Sequence, residues 1–284
     1  MKLVRFGRAG QEKPGLIDAD GKLRDLSRKL REIDSAALAP ASLKMLRGLK
    51  VERLPVVRGK PRLGVPIKGI GKVIAIGLNY ADHAAESGVQ PPKEPVIFTK
   101  ATSSITGPND AVTIPKDSQK TDWEVELAVA IGRTARHVPE ERALDYVAGY
   151  LICNDVSERE FQLERSGTWD KGKGCDTFCP LGPWLVTRDE IRDPQDLDMW
   201  LDVNGERMQS GTTKTMIFGV AHLVSYVSRF VTLLPGDIIT TGTPPGVGMG
   251  KKPPRYLAPG DVVTLGIAGL GQQRQACVAW KPTR

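Results

Sequence analysis

Trp123-Glu124-Val125-Glu126-Leu127-Ala128-Val129-Ala130-Ile131 is the stretch around which the chain is organised. Written as a β-strand it alternates strictly. Val125, Leu127, Val129 and Ile131 fall on one face, and Glu124, Glu126, Ala128 and Ala130 on the other. The first is a core face. The second carries two carboxylates roughly 7 Å apart along the strand, from a rise of about 3.3 Å per residue, followed by two very small side chains. Ordinary solvent faces are built from Lys, Thr, Ser and Gln. Two like charges on one face repel unless something positive lies between them, and a divalent cation is the usual answer. An exposed acidic edge strand is the alternative, and this stretch alone leaves both open.

Downstream, Gly149–Cys153 is a second apolar strand ending at Asn154-Asp155, a position from which carboxylates commonly point into a cleft. Asp155 joins Glu124 and Glu126 as a third hard oxygen donor, a set suited to Mg²⁺ or Mn²⁺ rather than zinc. Arg159 and Gln162 stand three apart, placed to clamp a substrate carboxylate. Lys171-Gly172-Lys173-Gly174 reads as a flexible Gly-rich loop whose lysines can stabilise developing negative charge. Upstream, His83 and Glu86 share a helix face, so the carboxylate can orient the imidazole as a general base.

The wider chain has the composition of a soluble globular protein. Its 284 residues are 40% hydrophobic and 26% charged, enough for one large core with a small appended unit. No apolar run reaches the roughly 18 residues needed to span a bilayer. Met1-Lys2-Leu3-Val4-Arg5 lacks the apolar core of a signal peptide, so the expected location is cytoplasmic with no membrane partner. Four cysteines at these spacings make neither a disulfide framework nor a zinc site, and reduced packing cysteines are expected. The net charge of +7 is uneven. Residues 1–72 hold 18 Lys and Arg against 7 Asp and Glu, whereas residues 73–284 hold 22 against 26. Without aromatics interleaved among the basic residues, a solvated basic face is expected rather than a nucleic-acid surface.

Short strands over Lys2–Gly7, Gly15–Asp18 and Lys22–Leu26, with a turn at Asp20-Gly21, predict a small β-rich unit. A helix is expected over Ala41–Leu49 with Ser42 as cap, and others over Leu78–Gly88 and Pro139–Val147. The Pro- and Gly-rich link from Leu54 to Pro66 places a boundary, giving an N-terminal unit over 1–64 and a catalytic unit over 65–284. Pro235-Gly236-Asp237-Ile238-Ile239-Thr240 and Pro259-Gly260-Asp261-Val262-Val263-Thr264 are two turn-then-strand copies, which makes the C-terminal part β-rich. Gly246–Lys251 imitates a phosphate loop but has Pro245 and Lys252 where Gly and Ser or Thr are required, so that reading fails.

Five motifs follow one another over roughly residues 70–270: Gly77-x-Asn79-Tyr80-x-x-His83-x-x-Glu86, Glu124-x-Glu126, Asp155-x-x-x-Arg159-x-x-Gln162, Lys173, and Gly242-Thr243-Pro244-x-Gly246-Val247-Gly248. In these the chain resembles the fumarylacetoacetate hydrolase family. Gly10–Gly15 and Trp169–Lys173 resemble a bacterial subgroup described as 2,4-diketo-3-deoxy-sugar-acid hydrolases and often labelled ureidoglycolate lyase. The resemblance implies an α+β, mainly β fold, a mixed β-sandwich roll, assembled as a homodimer. It implies Mg²⁺ or Mn²⁺ on Glu124, Glu126 and Asp155, a catalytic set of His83, Glu86 and Lys173, and substrate contacts from Arg159, Gln162, Thr243 and Tyr80. The implied reaction is hydrolysis of a C–C bond in a small anionic 1,3-diketo acid, releasing pyruvate. Decarboxylation of oxaloacetate or keto–enol isomerisation on the same site is the alternative. Ala101, where the family often has Pro, departs from the pattern.

Overall fold

The computed structural model describes residues 1–82, 90–165 and 167–282. The Val125–Ile131 strand is no edge. It pairs antiparallel on one side with Val147–Asn154 and on the other with Ile238–Thr240. Further strands extend this sheet in both directions. Beyond Val147–Asn154 come Cys179–Thr187, Lys2–Phe6, Lys13–Ile17 and Leu23–Asp25; beyond Ile238–Thr240 come Val73–Gly77 and Val96–Lys100. A second sheet runs Glu206–Thr212, Asp198–Val203, Val262–Ile267, Gly271–Ala279 and Val112–Ile114. The two Pro-Gly-Asp copies therefore feed different sheets, Ile238–Thr240 the first and Val262–Ile267 the second.

The alternation of the central strand is resolved into two cores. Val125, Leu127, Val129 and Ile131 pack with Leu201, Val263 and Leu265 of the second sheet, which makes the mixed β-sandwich. Ala128 and Ala130 are equally buried, in a separate cluster with Leu3, Leu38, Leu43, Leu46 and Leu151. Their small size has a physical reason: the N-terminal segment packs over this face. That segment is continuous with the rest, since Leu3 pairs with Leu185 in the same sheet and the cluster spans residues on both sides of position 64.

Several local expectations are revised. The first helix is Pro40–Arg47, opened by Pro40 in its first turn with Ala39 as the capping position; Ser42 Oγ instead donates to Ala36 O at 2.8 Å. The segment expected as an α-helix after Pro139 is 3₁₀, Glu140–Tyr146. Most of the helix expected over 78–88 lies outside the described residues. Asp170–Lys173 is a short helix rather than an open loop, with Lys173 buried. Gly172 permits this, because a Cβ there would stand 2.4 Å from Glu158 O and 2.5 Å from Gln162 Cβ. All four cysteines are unpaired thiols, as composition suggests.

Gly149 sits where the neighbouring strand approaches closely. A Cβ there would lie 2.2 Å from the carbonyl oxygen of Val186 on the neighbouring strand. Gly149→Ala is expected to lose about 3 kcal/mol, an overpacking penalty paid by backbone rather than by a movable side chain. A urea unfolding midpoint equal to that of the parent would refute this.

Candidate active site

The sheet geometry collects the motif residues at one end of the central strands. Val125 stands opposite Asn154 in the register. The backbone amide of Asp155 donates to Glu124 O at 2.9 Å, which ties the third carboxylate to the first. Asn154 Oδ1 accepts from the Glu124 amide at 3.2 Å, and Gln209 Oε1 accepts from the Val125 amide at 3.0 Å. The acidic strand end is thus anchored by side chains from both sheets.

Glu124, Glu126 and Asp155 are all buried, and each offers one oxygen within 4.8 Å of the others. Lys173 Nζ bridges two of them, at 2.7 Å from Glu124 Oε2 and 2.7 Å from Asp155 Oδ2. Lys100 Nζ reaches the other oxygen of Asp155 and donates to Lys173 O at 2.6 Å. Arg159 Nη2 is 2.7 Å from Glu124 Oε1, and its Nε bonds Asp122 Oδ2 at 2.9 Å. Among the described residues, Glu126 Oε2 receives only the Gly242 amide, at 2.9 Å.

This asymmetry splits the carboxylates electrostatically. Burial pushes Glu124 up, but the Lys173 ammonium and the Arg159 guanidinium outweigh it and hold the carboxyl at about 2. Burial pushes Glu126 up as well, and there the negative neighbours Asp155 and Glu124 add to it, so its carboxyl lies well above the ordinary range. Burial opposes the charge on Lys173, yet Asp155 and Glu124 raise its pKa. Glu126 is the carboxylate short of positive charge. Three buried oxygen donors with that deficit fit a hard divalent cation such as Mg²⁺ or Mn²⁺.

A cleft of about 230 Å³ opens onto Glu124, Glu126 and Lys173. Arg159, Gln162 and Thr243 line it. Arg159 is largely engaged, since it also donates to Gln162 Oε1 at 3.1 Å. That bond occupies the Gln162 carbonyl oxygen. Thr243 Oγ1 donates to Val125 O at 2.9 Å and accepts from Gln209 Nε2 at 2.8 Å. Tyr80 is not among the cleft-lining residues. It is fully buried, and its hydroxyl donates to Met199 Sδ at 3.2 Å. His83 and Glu86 lie outside the described residues.

Sequence reasoning missed Lys100, Asp122, Gln209 and Trp169. Lys100 is buried in the carboxylate cluster, although it looks like an ordinary strand-end lysine. Asp122 holds Arg159 and also accepts from the Gly248 and Met249 amides at 2.6 and 3.0 Å. Trp169 lines the cleft beside Phe98, with ring centroids 5.3 Å apart in an edge-to-face pair. Gly77 leaves room for that indole, since a Cβ there would stand 2.4 Å from the ring. The only sequence signal for these was a charged or aromatic residue beside a motif; their partners lie far away in the chain.

Fold and site together define an enzyme scaffold with a buried acidic triad of a composition able to hold a metal ion. Residues 72–278 match the fumarylacetoacetate (FAA) hydrolase C-terminal family. The chain belongs to the fumarylacetoacetate hydrolase family. A relative in Burkholderia multivorans, provisionally described as a hydrolase, is 62% identical over 276 residues, covering 97% of this chain and 98% of its own. The 5-carboxymethyl-2-hydroxymuconate delta-isomerase of Mycobacterium smegmatis superposes with a TM-score of 0.77 at 35% identity, covering 99% and 100% of the two chains. The maleylpyruvate hydrolase of Sphingobium sp. SYK-6, solved with manganese(II) and pyruvate, superposes with a TM-score of 0.82 at 28% identity and the same coverage. Among the described residues no helix is long and apolar enough to cross a membrane.

Proposed function

We propose that this protein is a Mg²⁺- or Mn²⁺-dependent hydrolase that cleaves a C–C bond in a 1,3-diketo acid and releases pyruvate. The observation that carries the reading is the buried Glu124–Glu126–Asp155 triad with Lys173 bridging two of its members. The manganese and pyruvate in the structure of maleylpyruvate hydrolase support it. Glu124, Glu126 and Asp155 would hold the ion, which as a Lewis acid supplies stabilisation of negative charge on the pyruvoyl oxygens.

The protein's own groups divide the remaining work. Arg159 and Gln162 bind the substrate carboxylate and fix its orientation in the cleft. Hydrolysis adds water across the bond: hydroxyl joins the distal carbonyl carbon, the C–C bond breaks, and its electron pair leaves on the pyruvate fragment. That fragment takes up a proton, so the products are a carboxylic acid and pyruvate. Lys173, with two of its three N–H bonds held by carboxylates, keeps a third for the developing oxyanion. The family resemblance gives the proton of the attacking water to His83, oriented by Glu86. Trp169 and Phe98 shield the cleft from bulk water.

A panel of acylpyruvates and 2,4-diketo-3-deoxy sugar acids, with oxaloacetate alongside, tests the reading. Expected are equal amounts of pyruvate and carboxylic acid from at least one diketo acid, loss of turnover in EDTA and recovery with excess Mg²⁺ or Mn²⁺. Unchanged turnover in EDTA would sink the metal role. The mycobacterial isomerase supports a second reading, keto–enol isomerisation or decarboxylation on the same residues. Enol conversion without acid release, or pyruvate from oxaloacetate alone, would replace the first reading with the second. We further propose a cytoplasmic homodimer that binds no nucleic acid; light scattering giving a monomer mass would remove the dimer.

A further inference from the structure

A second cavity lies away from the carboxylates. About 480 Å³ in volume, it opens between the Pro40–Arg47 helix and the opposite end of the central strands. Tyr150, Val147 and Ala148 belong to the strand that ends at Asn154, and Gly132 and Arg133 directly follow the Val125–Ile131 strand. Tyr150 and Asn154 are four residues apart, so about 13 Å of strand separates this cavity from the carboxylate site.

Its lining is amphipathic and positively charged. Four arginines, Arg47, Arg133, Arg188 and Arg192, face two aspartates, Asp145 and Asp189. The aspartates are already engaged: Arg47 Nη2 is 2.8 Å from Asp189 Oδ1, and Arg188 Nη1 is 3.6 Å from Asp145 Oδ1. Asp145 also takes Arg142 at 3.1 Å. Arg133 and Arg192 have no ion-pair or hydrogen-bond partner among the described residues. Tyr150 is the second, independent observation. It is 1% exposed and lines the cavity, yet its hydroxyl has no hydrogen-bond partner among the described residues. The hydroxyl is not sealed in by protein and reaches the cavity space, where it is open to a ligand. Burial raises its pKa to about 12, so it stands ready as a donor. Leu43, Leu144 and Ile191 supply an apolar wall.

We propose that this cavity is a binding site for a small amphipathic carboxylate, separate from the catalytic cleft. The carboxylate head is held by Arg133, Arg192 and the Tyr150 hydroxyl, and the apolar body lies against Leu43, Leu144 and Ile191. Because the walls come from the N-terminal helix and from the strands that carry the triad, occupancy ties the two parts together and stabilises the folded chain.

Benzoate and phenylacetate are titrated into the full chain with saturating Mg²⁺, by calorimetry and thermal unfolding. One carboxylate per chain, a raised unfolding temperature and no binding of neutral benzamide are expected. The Arg133→Gln/Arg192→Gln double variant, altered only at exposed side chains, should weaken binding at least tenfold, and Tyr150→Phe several-fold. Glu126→Gln should leave the dissociation constant within twofold, which places the ligand outside the cleft. Absence of saturable binding, unchanged affinity in the double variant, or loss of binding in Glu126→Gln overturns the proposal. Inorganic phosphate binding as tightly as the aromatic carboxylates overturns the role of the apolar wall.

Discussion

Glu126→Gln is expected to make the chelated protein more stable at neutral pH while removing stabilisation by Mg²⁺ or Mn²⁺ and nearly all turnover. Glu126 is buried beside two other carboxylates, and its carboxyl is raised well above the value of 4.5 by burial, then by Asp155 and Glu124. A carboxyl whose folded pKa exceeds its unfolded one binds more protons in the folded state. Its contribution to stability is fully present below about 4.5 and is lost as pH rises through the raised value. Ionising it at neutral pH therefore costs stability in the absence of a cation, and the neutral amide avoids that cost. A gain of about 1 kcal/mol would appear as a rise of roughly 2–4 °C in Tm for a chain of this size. On the proposed function the same substitution also removes an anionic metal ligand, and a loss of about 4 kcal/mol of transition-state stabilisation corresponds to a turnover drop on the order of 10³-fold. Thermal unfolding with and without Mg²⁺, from pH 5 to 8, reads both effects. An undiminished Mg²⁺-induced rise in Tm would refute the ligand role. Glu124 has the opposite sign: held at about 2, it contributes stability above the ordinary carboxylate range that fades as pH falls toward 2.

Lys173→Met should produce the largest stability loss at the site. The ammonium is buried and touches Glu124 and Asp155 at 2.7 Å each. Removing it strands two buried carboxylates with less positive charge, which costs about 3–5 kcal/mol in chelated protein. Added divalent cation should recover a large part of that loss, because the freed oxygens turn to the ion. Turnover should still fall by about 10²- to 10³-fold, since the oxyanion loses its donor. Restored stability with absent turnover is the expected signature in Mg²⁺. Full activity of the variant would exclude Lys173 from the chemistry and leave it a structural counter-charge.

The two predictions also show which parts of the site could be read in advance. Glu124 and Glu126 were legible because a strand has period two, so an acid at every second position must share a face. Asp155 was legible because it stands at the end of an apolar strand, just past Asn154. Arg159 was visible from its three-residue spacing to Gln162, whereas Lys173 stood out only as one of two lysines in a Gly-rich run until the ordered motifs singled it out. Lys100 and Gln209 were not visible as site residues. Lys100 meets Asp155 across 55 positions, and Gln209 meets Val125 across 84. No local periodicity encodes such pairings. Tyr80 shows the reverse case: it sits inside a motif, yet the fold turns its hydroxyl to Met199 in the core.

By itself, the sequence determined the β-rich class, the central alternating strand, the three hard-oxygen donors and the absence of a disulfide framework. These follow from periodicity and residue chemistry, which act over a few neighbouring positions. Only the tertiary structure decided that both faces of Val125–Ile131 are buried, the alanine face beneath residues from the N-terminal segment. It alone decided which carboxylate is held charged by Lys173 and Arg159 and which lacks positive charge. Those outcomes depend on the pairing of strands distant in the chain, and charge balance at a buried site is a sum over whatever that pairing brings within a few ångströms.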